Sequence, residues 1–180
     1  TAPIITDINS ATTAVTGLPA GTNAVLRWTV TNGTCSISDD VSIQNDVLPV
    51  ISSPIDQTLC NTSNFTMAQS ASIGTGVWTV VSSTGTAPTI TAINSATTTV
   101  TGLPAGTSAV LRWTVTNGTC SISDDVSIQN DAQIIADNTT SVLSITEDQT
   151  KILTGAPSGG TWSIVAGSGS ITGSTYTPAD

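Results

Sequence analysis

The sequence contains a long internal repeat, in which residues 1–46 recur at residues 86–131 with a constant offset of 85 residues. The two copies differ only at four pairs of positions: Ile4/Thr89, Asp7/Ala92, Ala14/Thr99 and Asn23/Ser108. This period is longer than the roughly 20–50 residues of solenoid repeats. It is close to the roughly 100 residues of a small β-sandwich. Each repeat is therefore predicted to be a domain with its own core.

The phase of the repeat divides the chain into three segments. Residues 47–131 make one complete module, residues 1–46 match the C-terminal half of a module, and residues 132–180 match the N-terminal half of a divergent module. The sequence shows no initiator Met, signal peptide or sorting tail, so we expect an excerpt from a longer protein.

The composition indicates an all-β chain that does not bind polyanions. Thr and Ser are abundant, charged residues make up 8%, and no long stretch has helical composition. The net charge is −9, and the basic residues are Arg27, Arg112 and Lys151. Nucleic acids and anionic lipids require clustered Lys and Arg, so neither is an expected partner.

A β-hairpin over 109–129 is the strongest local prediction. Alternation places Leu111, Trp113 and Val115 on one strand face and Arg112 on the other. Between the two strands, Asn117-Gly118 is expected to supply the positive φ angles of a two-residue type I′ turn. The same hairpin is predicted at 24–44.

Further strands are predicted ahead of the hairpin at 47–52, 64–68, 76–82, 88–93 and 97–103. The first is expected at a sheet edge, because Pro49 cannot donate a ladder hydrogen bond. About seven short strands suit an immunoglobulin-like (PKD-like) β-sandwich. Its predicted core centres on Phe65, Trp78, Leu111, Trp113 and Val115, with Val80, Val100 and Ile128.

The three cysteines predict one disulfide per module. Cys35 and Cys120 are equivalent by the repeat, so Cys60 and Cys120 are expected to pair within the complete module, and Cys35 to be unpaired. Three reduced, buried thiols are the alternative. Without a CxxC pair or any His, a metal site is less expected. Residues 47–131 contain no lysine, which excludes a Lys–Asn isopeptide bond in the complete module.

The aspartates and tryptophans offer two candidate binding chemistries. Asp124, Asp125, Asp131 and Asp137 are possible calcium ligands, since Ca²⁺ takes six to eight oxygens. The favoured interpretation is that they are solvated residues at turns and strand ends. The four tryptophans could stack on sugars, but all lie on apolar strand faces, so core packing is favoured. Among them, Trp162 corresponds to Trp78.

Enzyme activity is not expected. The sequence has no His, which excludes Ser-His-Asp and Cys-His arrangements within it. Neighbouring carboxylates such as Asp124 and Asp125 point to opposite strand faces, so they are poorly placed as an acid/base couple.

The order of motifs in the complete module resembles a known repeat class. The motifs are Cys60, G-x-W at 76–78, V-T-G-L-x-x-G-T at 100–107 and L-R-W-T-V-x-N-G-x-C at 111–120. Together they resemble the Ig-like or PKD-like repeats of giant cell-surface proteins of the Bacteroidetes, similar to gliding-motility adhesins of the SprB type. The resemblance implies type IX secretion, display on the bacterial surface and adhesion. Apart from the calcium considered above, no cofactor is expected.

Three functions fit these observations. A stalk segment of a surface adhesin is favoured, because a stalk needs copy number rather than a unique site, and its partners would be the neighbouring modules of the same chain. A module that binds polysaccharide or a surface through exposed loops is the first alternative. The second is a filament subunit that packs laterally with other copies of the chain. Each half-module is expected to expose one side of its core.

Overall fold

A computed structural model describes residues 2–62, 64–138, 143–146 and 149–179. Within these ranges the chain is all-β, with strands in several sheets and no helix. It divides into two compact units, Thr1–Asp131 and Ala132–Asp180. The division lies between residues 131 and 132, and residues 1–46 and 47–131 fall in one unit, so it does not separate the predicted half-module from the complete module.

The strands of the first unit are β1 (Ile4–Ile5), β2 (Val15–Thr16), β3 (Thr22–Asn32), β4 (Cys35–Asn45), β5 (Gln57–Cys60), β6 (Asn64–Thr66), β7 (Thr75–Ser83), β8 (Thr89–Ile90), β9 (Thr99–Thr101), β10 (Thr107–Asn117) and β11 (Cys120–Asp131). Those of the second unit are β12 (Asp137–Asn138), β13 (Lys151–Ile152), β14 (Gly155–Ala156), β15 (Ser170–Thr172) and β16 (Thr175–Thr177).

The complete module consists of two sheets. One has four strands in the order β5-β11-β10-β7, and the other has three in the order β6-β9-β8. Strands β5 and β11 run parallel, whereas the other pairs are antiparallel. Strand β5 was not predicted, because its short sequence shows no clear alternation.

Both sheets contribute side chains to one core. The core residues predicted from the sequence, Phe65, Trp78, Leu111, Trp113 and Val115, are all buried, which confirms that prediction. Strand β10 alternates as expected, with its odd-numbered residues from 109 to 115 buried. The Trp78 and Trp113 rings pack at a centroid distance of 5.2 Å and an angle of 40°. A Cβ atom at Gly76 would overlap the Trp113 ring, so glycine is needed there.

The predicted turn of the β10–β11 hairpin is wrong in its position and in its type. Asn117 pairs with Cys120, so the two loop residues are Gly118 and Thr119. Gly118 has φ +58°, and Asn61 is the one non-glycine residue with positive φ in the described ranges. Positive φ at the first loop residue alone fits a type II′ turn rather than type I′.

The predicted edge strand at 47–52 is also absent from the described structure, where only an isolated bridge joins Ile51 to Ala71. Around this bridge the Ser72 N–H donates to Val50 O at 2.9 Å and the Ser52 N–H donates to Ser70 O at 3.4 Å, and the Val50 N–H donates to Ser72 Oγ at 3.0 Å. Pro49 is buried, so its ring contributes to packing.

The hairpin β3–β4 repeats β10–β11 in the same register, from Asn32↔Cys35 to Thr22↔Asn45. Its apolar face is open to solvent: Trp28 is 44% exposed, whereas its counterpart Trp113 is 2% exposed. Residues 1–46 therefore carry one side of a core without the strands that cover it, as predicted for a half-module.

The second unit contains a two-stranded sheet, β12-β14, and a three-stranded sheet, β13-β16-β15. Trp78 lies in β7, but its counterpart Trp162 lies outside the strands and is 37% exposed. Strand β7 is held by β10, and no counterpart of β10 occurs in the described part of this unit.

Replacing each of the two equivalent tryptophans by alanine should have unequal effects. We expect Trp113→Ala to lower the free energy of unfolding of the complete module by about 3–5 kcal/mol, because it empties a packed core position. Trp28→Ala should cost much less, since that ring is already partly solvated. Chemical denaturation followed by far-ultraviolet circular dichroism measures both, and equal losses would contradict the assignment of the core.

Candidate functional site

Polar contacts join the segment that follows β4 to the tip of the β10–β11 hairpin. We call this group, made of Asp46, Val47 and residues 117–120, the module joint. Asp46 comes directly after the last residue of β4, and the hairpin tip lies at the turn between β10 and β11. The type II′ turn at Gly118 leaves the Thr119 N–H outside the ladder, free to bond an anion.

The Asp46 carboxylate is the centre of the joint. Its Oδ2 accepts hydrogen bonds from the Thr119 backbone N–H at 2.7 Å and from Thr119 Oγ1 at 3.0 Å. The Gln44 side-chain amide donates to Oδ1. The Asn117 amide donates to the Val47 carbonyl at 2.8 Å, and Cys120 Sγ lies 3.6 Å from the Asp46 carbonyl oxygen. Asn117, Thr119 and Cys120 of the hairpin tip thus hold Asp46 and Val47 in place.

These donors lower the pKa of Asp46 below its ordinary value. The Thr119 backbone N–H is the largest cause, followed by the Gln44 amide and the Thr119 hydroxyl. Hydrogen bonds to the ionised form favour that form. The joint therefore binds the carboxylate rather than the carboxylic acid.

Gly118 is required at the joint for space as well as for conformation. A Cβ atom there would overlap the Asp46 carboxylate. Its repeat counterpart Gly33 has nearly the same φ, +61° against +58°, but a Cβ there would meet nothing within 4 Å in the described part of the chain. The two tips thus differ in what they contact rather than in their backbone.

The complete module has its two chain connections at opposite ends of β11. The hairpin tip, beside Val47 where the chain enters, lies at the Asn117↔Cys120 end. The chain leaves after Asp131, which pairs with Cys60 of β5 at the other end. Eleven residue steps along a strand separate these ends by about 35 Å.

The structure contradicts the predicted Cys60–Cys120 disulfide. All three thiols are free. Cys120 begins β11, and Cys60 lies beside Asp131 at its end, so the two cysteines are about 35 Å apart along the strand. A disulfide joins Cα atoms about 4.4–6.8 Å apart. The parallel pairing of β5 with β11 causes this separation. Cys35 is unpaired and exposed.

The candidate calcium ligands are not brought together. Asp125 forms a bidentate ion pair with Arg112, at 2.6 and 2.8 Å, and this guanidinium lowers the pKa of Asp125. Asp124 lies on the opposite strand face, and Asp131 is about 23 Å further along β11. Asp137 belongs to the second unit. Among the described residues no group of three or more acidic or cysteine side chains could hold a metal ion.

The four tryptophans divide into two classes. Trp78 and Trp113 are buried, as predicted. Trp162 lines an open groove of about 520 Å³ in the second unit, together with Asp137, Gly155 and Pro157. The exposure of Trp28 follows from the uncovered apolar face of β3, whereas Trp162 lies outside the strands of its unit.

Comparison with known proteins leaves the family open. No family model and no curated protein matches the chain. A solved structure of an endo-fucoidan hydrolase from glycoside hydrolase family 107 is similar to 83% of the chain and to 27% of its own length, at 14% identity and a TM-score of 0.35. In the described part of the chain, no helix is long and apolar enough to cross a membrane.

The sequence did not predict the module joint. The signal was present, since Asp46 ends the repeated segment and T-N-G-T precedes each repeated cysteine. Contacts between residues more than 70 positions apart, however, cannot be derived from a local pattern.

Alanine substitutions at the two equivalent glycines should distinguish the contribution of the joint contacts from that of the turn conformation. Gly118→Ala and Gly33→Ala impose similar backbone strain, but only the first places a methyl group against Asp46. We expect faster proteolytic cleavage near 46–49 in Gly118→Ala alone. Similar cleavage in both variants would show that the joint contacts do not order this segment.

Acidification should loosen the joint. The folded pKa of Asp46 lies below its unfolded value, so the stabilisation is complete above the unfolded pKa and is lost as the pH falls through the folded pKa. In an NMR titration we expect the Thr119 amide shift to follow this protonation. The Thr34 amide, its counterpart at the β3–β4 tip, should not respond, and Asp46→Asn should abolish the response of Thr119.

Proposed function

We propose that the chain is a repetitive stalk segment of a bacterial cell-surface adhesin, built from tandem Ig-like (PKD-like) β-sandwich modules stacked end to end. Such a stalk supplies reach and mechanical strength for attachment or gliding. Its partners are the neighbouring modules of the same chain, and its location is the outside of the cell.

The position of the chain connections is the observation that carries this proposal. The chain enters the complete module beside the hairpin tip and leaves it after Asp131, about 35 Å away along β11. A module connected at opposite ends adds its full length to a chain of modules. A module connected at one end would fold the chain back on itself.

The module joint orients each module relative to the preceding segment. Asp46 is bonded to the hairpin tip of the following module, and Val47, the first residue of that module, is bonded to the same tip, so both residues of the connection are held. The core of the complete module contains none of the described residues of the preceding segment, 2–46, so the contacts between the two are made outside that core. Repeats with separate cores unfold one at a time under load, which suits a stalk.

The repeat and the surface support the same proposal. The two copies of the hairpin segment are nearly identical, which is expected where copy number matters more than a unique site. The net charge of −9 and the hydroxyl-rich composition favour solubility outside the cell. The resemblance to Bacteroidetes surface repeats supports adhesion and type IX secretion as part of the proposal.

Inserting one or two further copies of residues 47–131 between residues 131 and 132 tests the stalk. Each insertion recreates the boundary between Asp and Val47. We expect the maximum dimension from small-angle X-ray scattering to increase by about 35 Å with each copy, as end-to-end strands of this length require.

The control is the same series with Gly118→Ala in every complete module. Without ordered joints, each added copy should increase the maximum dimension by less than about 35 Å, and each increase should be smaller than the one before. The reason is that the size of a flexible chain grows with the square root of its length. Compact growth of the unsubstituted series, with little change in maximum dimension, would overturn the proposal.

A further inference from the structure

Cys120 lies at the module joint rather than in the core. Its sulfur is 3.6 Å from the Asp46 carbonyl oxygen, and the residue is half-buried there. The preceding segment therefore presents its final backbone carbonyl to a thiol of the next module. Nothing within the complete module itself brings another sulfur to this end of β11.

Cys60 lies at the opposite end of the module, beside the residue equivalent to Asp46. Cys60 pairs with Asp131, and the N–H of the next residue, Asn61, donates to the Asp131 carbonyl at 2.8 Å. Asn61 has φ +48°, so the chain turns immediately after the cysteine. Cys60 itself is exposed.

The surroundings of Asp46 and Asp131 are alike, so contacts of one can be transferred to the other. The Asn45 amide donates to Leu18 O at 2.7 Å, and its counterpart Asn130 donates to Leu103 O at 2.8 Å. The Gly21 and Gly106 N–H groups donate to the carbonyls of Asn45 and Asn130, each at 2.6 Å. The backbone that leads into both aspartates is the same.

The geometry points to a disulfide between modules, in which Cys60 of one module pairs with Cys120 of the next. The two residues approach equivalent carbonyls: the Cys120 sulfur lies 3.6 Å from the Asp46 oxygen, and the backbone N–H that follows Cys60 donates to the Asp131 oxygen at 2.8 Å. If the two contacts are made to one carbonyl, that oxygen joins the Cys120 sulfur to the residue that follows Cys60, so the two cysteines become neighbours across the joint. The inference rests on the end-to-end stacking proposed above.

The bond forms by oxidation of two thiols. The thiolate of one cysteine attacks a disulfide oxidant, which gives a mixed disulfide and one reduced thiol of the oxidant. The second cysteine then displaces the other half of the oxidant as a thiol. Two cysteines lose two protons and two electrons in total, and a small-molecule disulfide such as oxidised glutathione accepts them. Such oxidants persist in extracellular compartments.

The test uses the full chain with one inserted copy of residues 47–131, refolded with reduced and oxidised glutathione at low protein concentration. Only one pair then meets at a joint: Cys60 of the original module and Cys120 of the inserted copy. We expect a monomer with one disulfide, seen as a loss of two free thiols and as a cross-linked Cys60–Cys120 peptide in mass spectrometry.

Cysteine-to-serine variants show which copies pair, although their peptides are identical. Cys120→Ser in the inserted copy should abolish the bond, whereas Cys120→Ser in the original module should leave it intact. A bond within modules would make the two variants equivalent and would overturn the inference. If all thiols stay free while the maximum dimension still increases by one module length, the disulfide is overturned and the stalk proposal stands. A chain that does not lengthen would overturn the stalk as well.

Discussion

The register of β10 against β11 is the constraint on which the rest of the complete module depends. It runs without a shift from Asn117↔Cys120 to Thr107↔Asn130. This pairing places one face of the hairpin in the core. It also places the hairpin tip and Asp131 at opposite ends of the module, along the direction of β11. The tip at one end receives the preceding segment, and Asp131 at the other end leads onward.

Side-chain alternation was sufficient to predict the core. Trp113 and Leu111 alternate with Arg112, and a strand that buries one face must place its apolar residues on that face. The same reasoning located β7 through Trp78. Because the repeat copies that alternation to residues 22–45, it also predicted an uncovered face in the half-module, where Trp28 is exposed.

Features decided by long-range pairing could not be predicted in this way. The expected disulfide assumed that the two cysteines of one module meet, but the parallel pairing of β5 with β11 places Cys60 at the wrong end. A strand of four residues carries no local sign of its partner or of its direction. The turn was misplaced by one residue for a related reason, since Asn117 could serve either as a loop residue or as the last strand residue.

Under the proposed stalk function, the parallel pairing that separates the cysteines would also determine how the module carries tension. In the proposed stalk, a pull along the chain would draw Asp131 away from the hairpin tip and would pull β5 in the opposite direction through the segment that enters at Val47. The four residue pairs of β5 and β11 are then sheared together rather than opened one after another. A module whose first and last paired strands run parallel therefore resists extension through its backbone ladder. The hydrogen bonds of the joint need only to keep successive modules aligned.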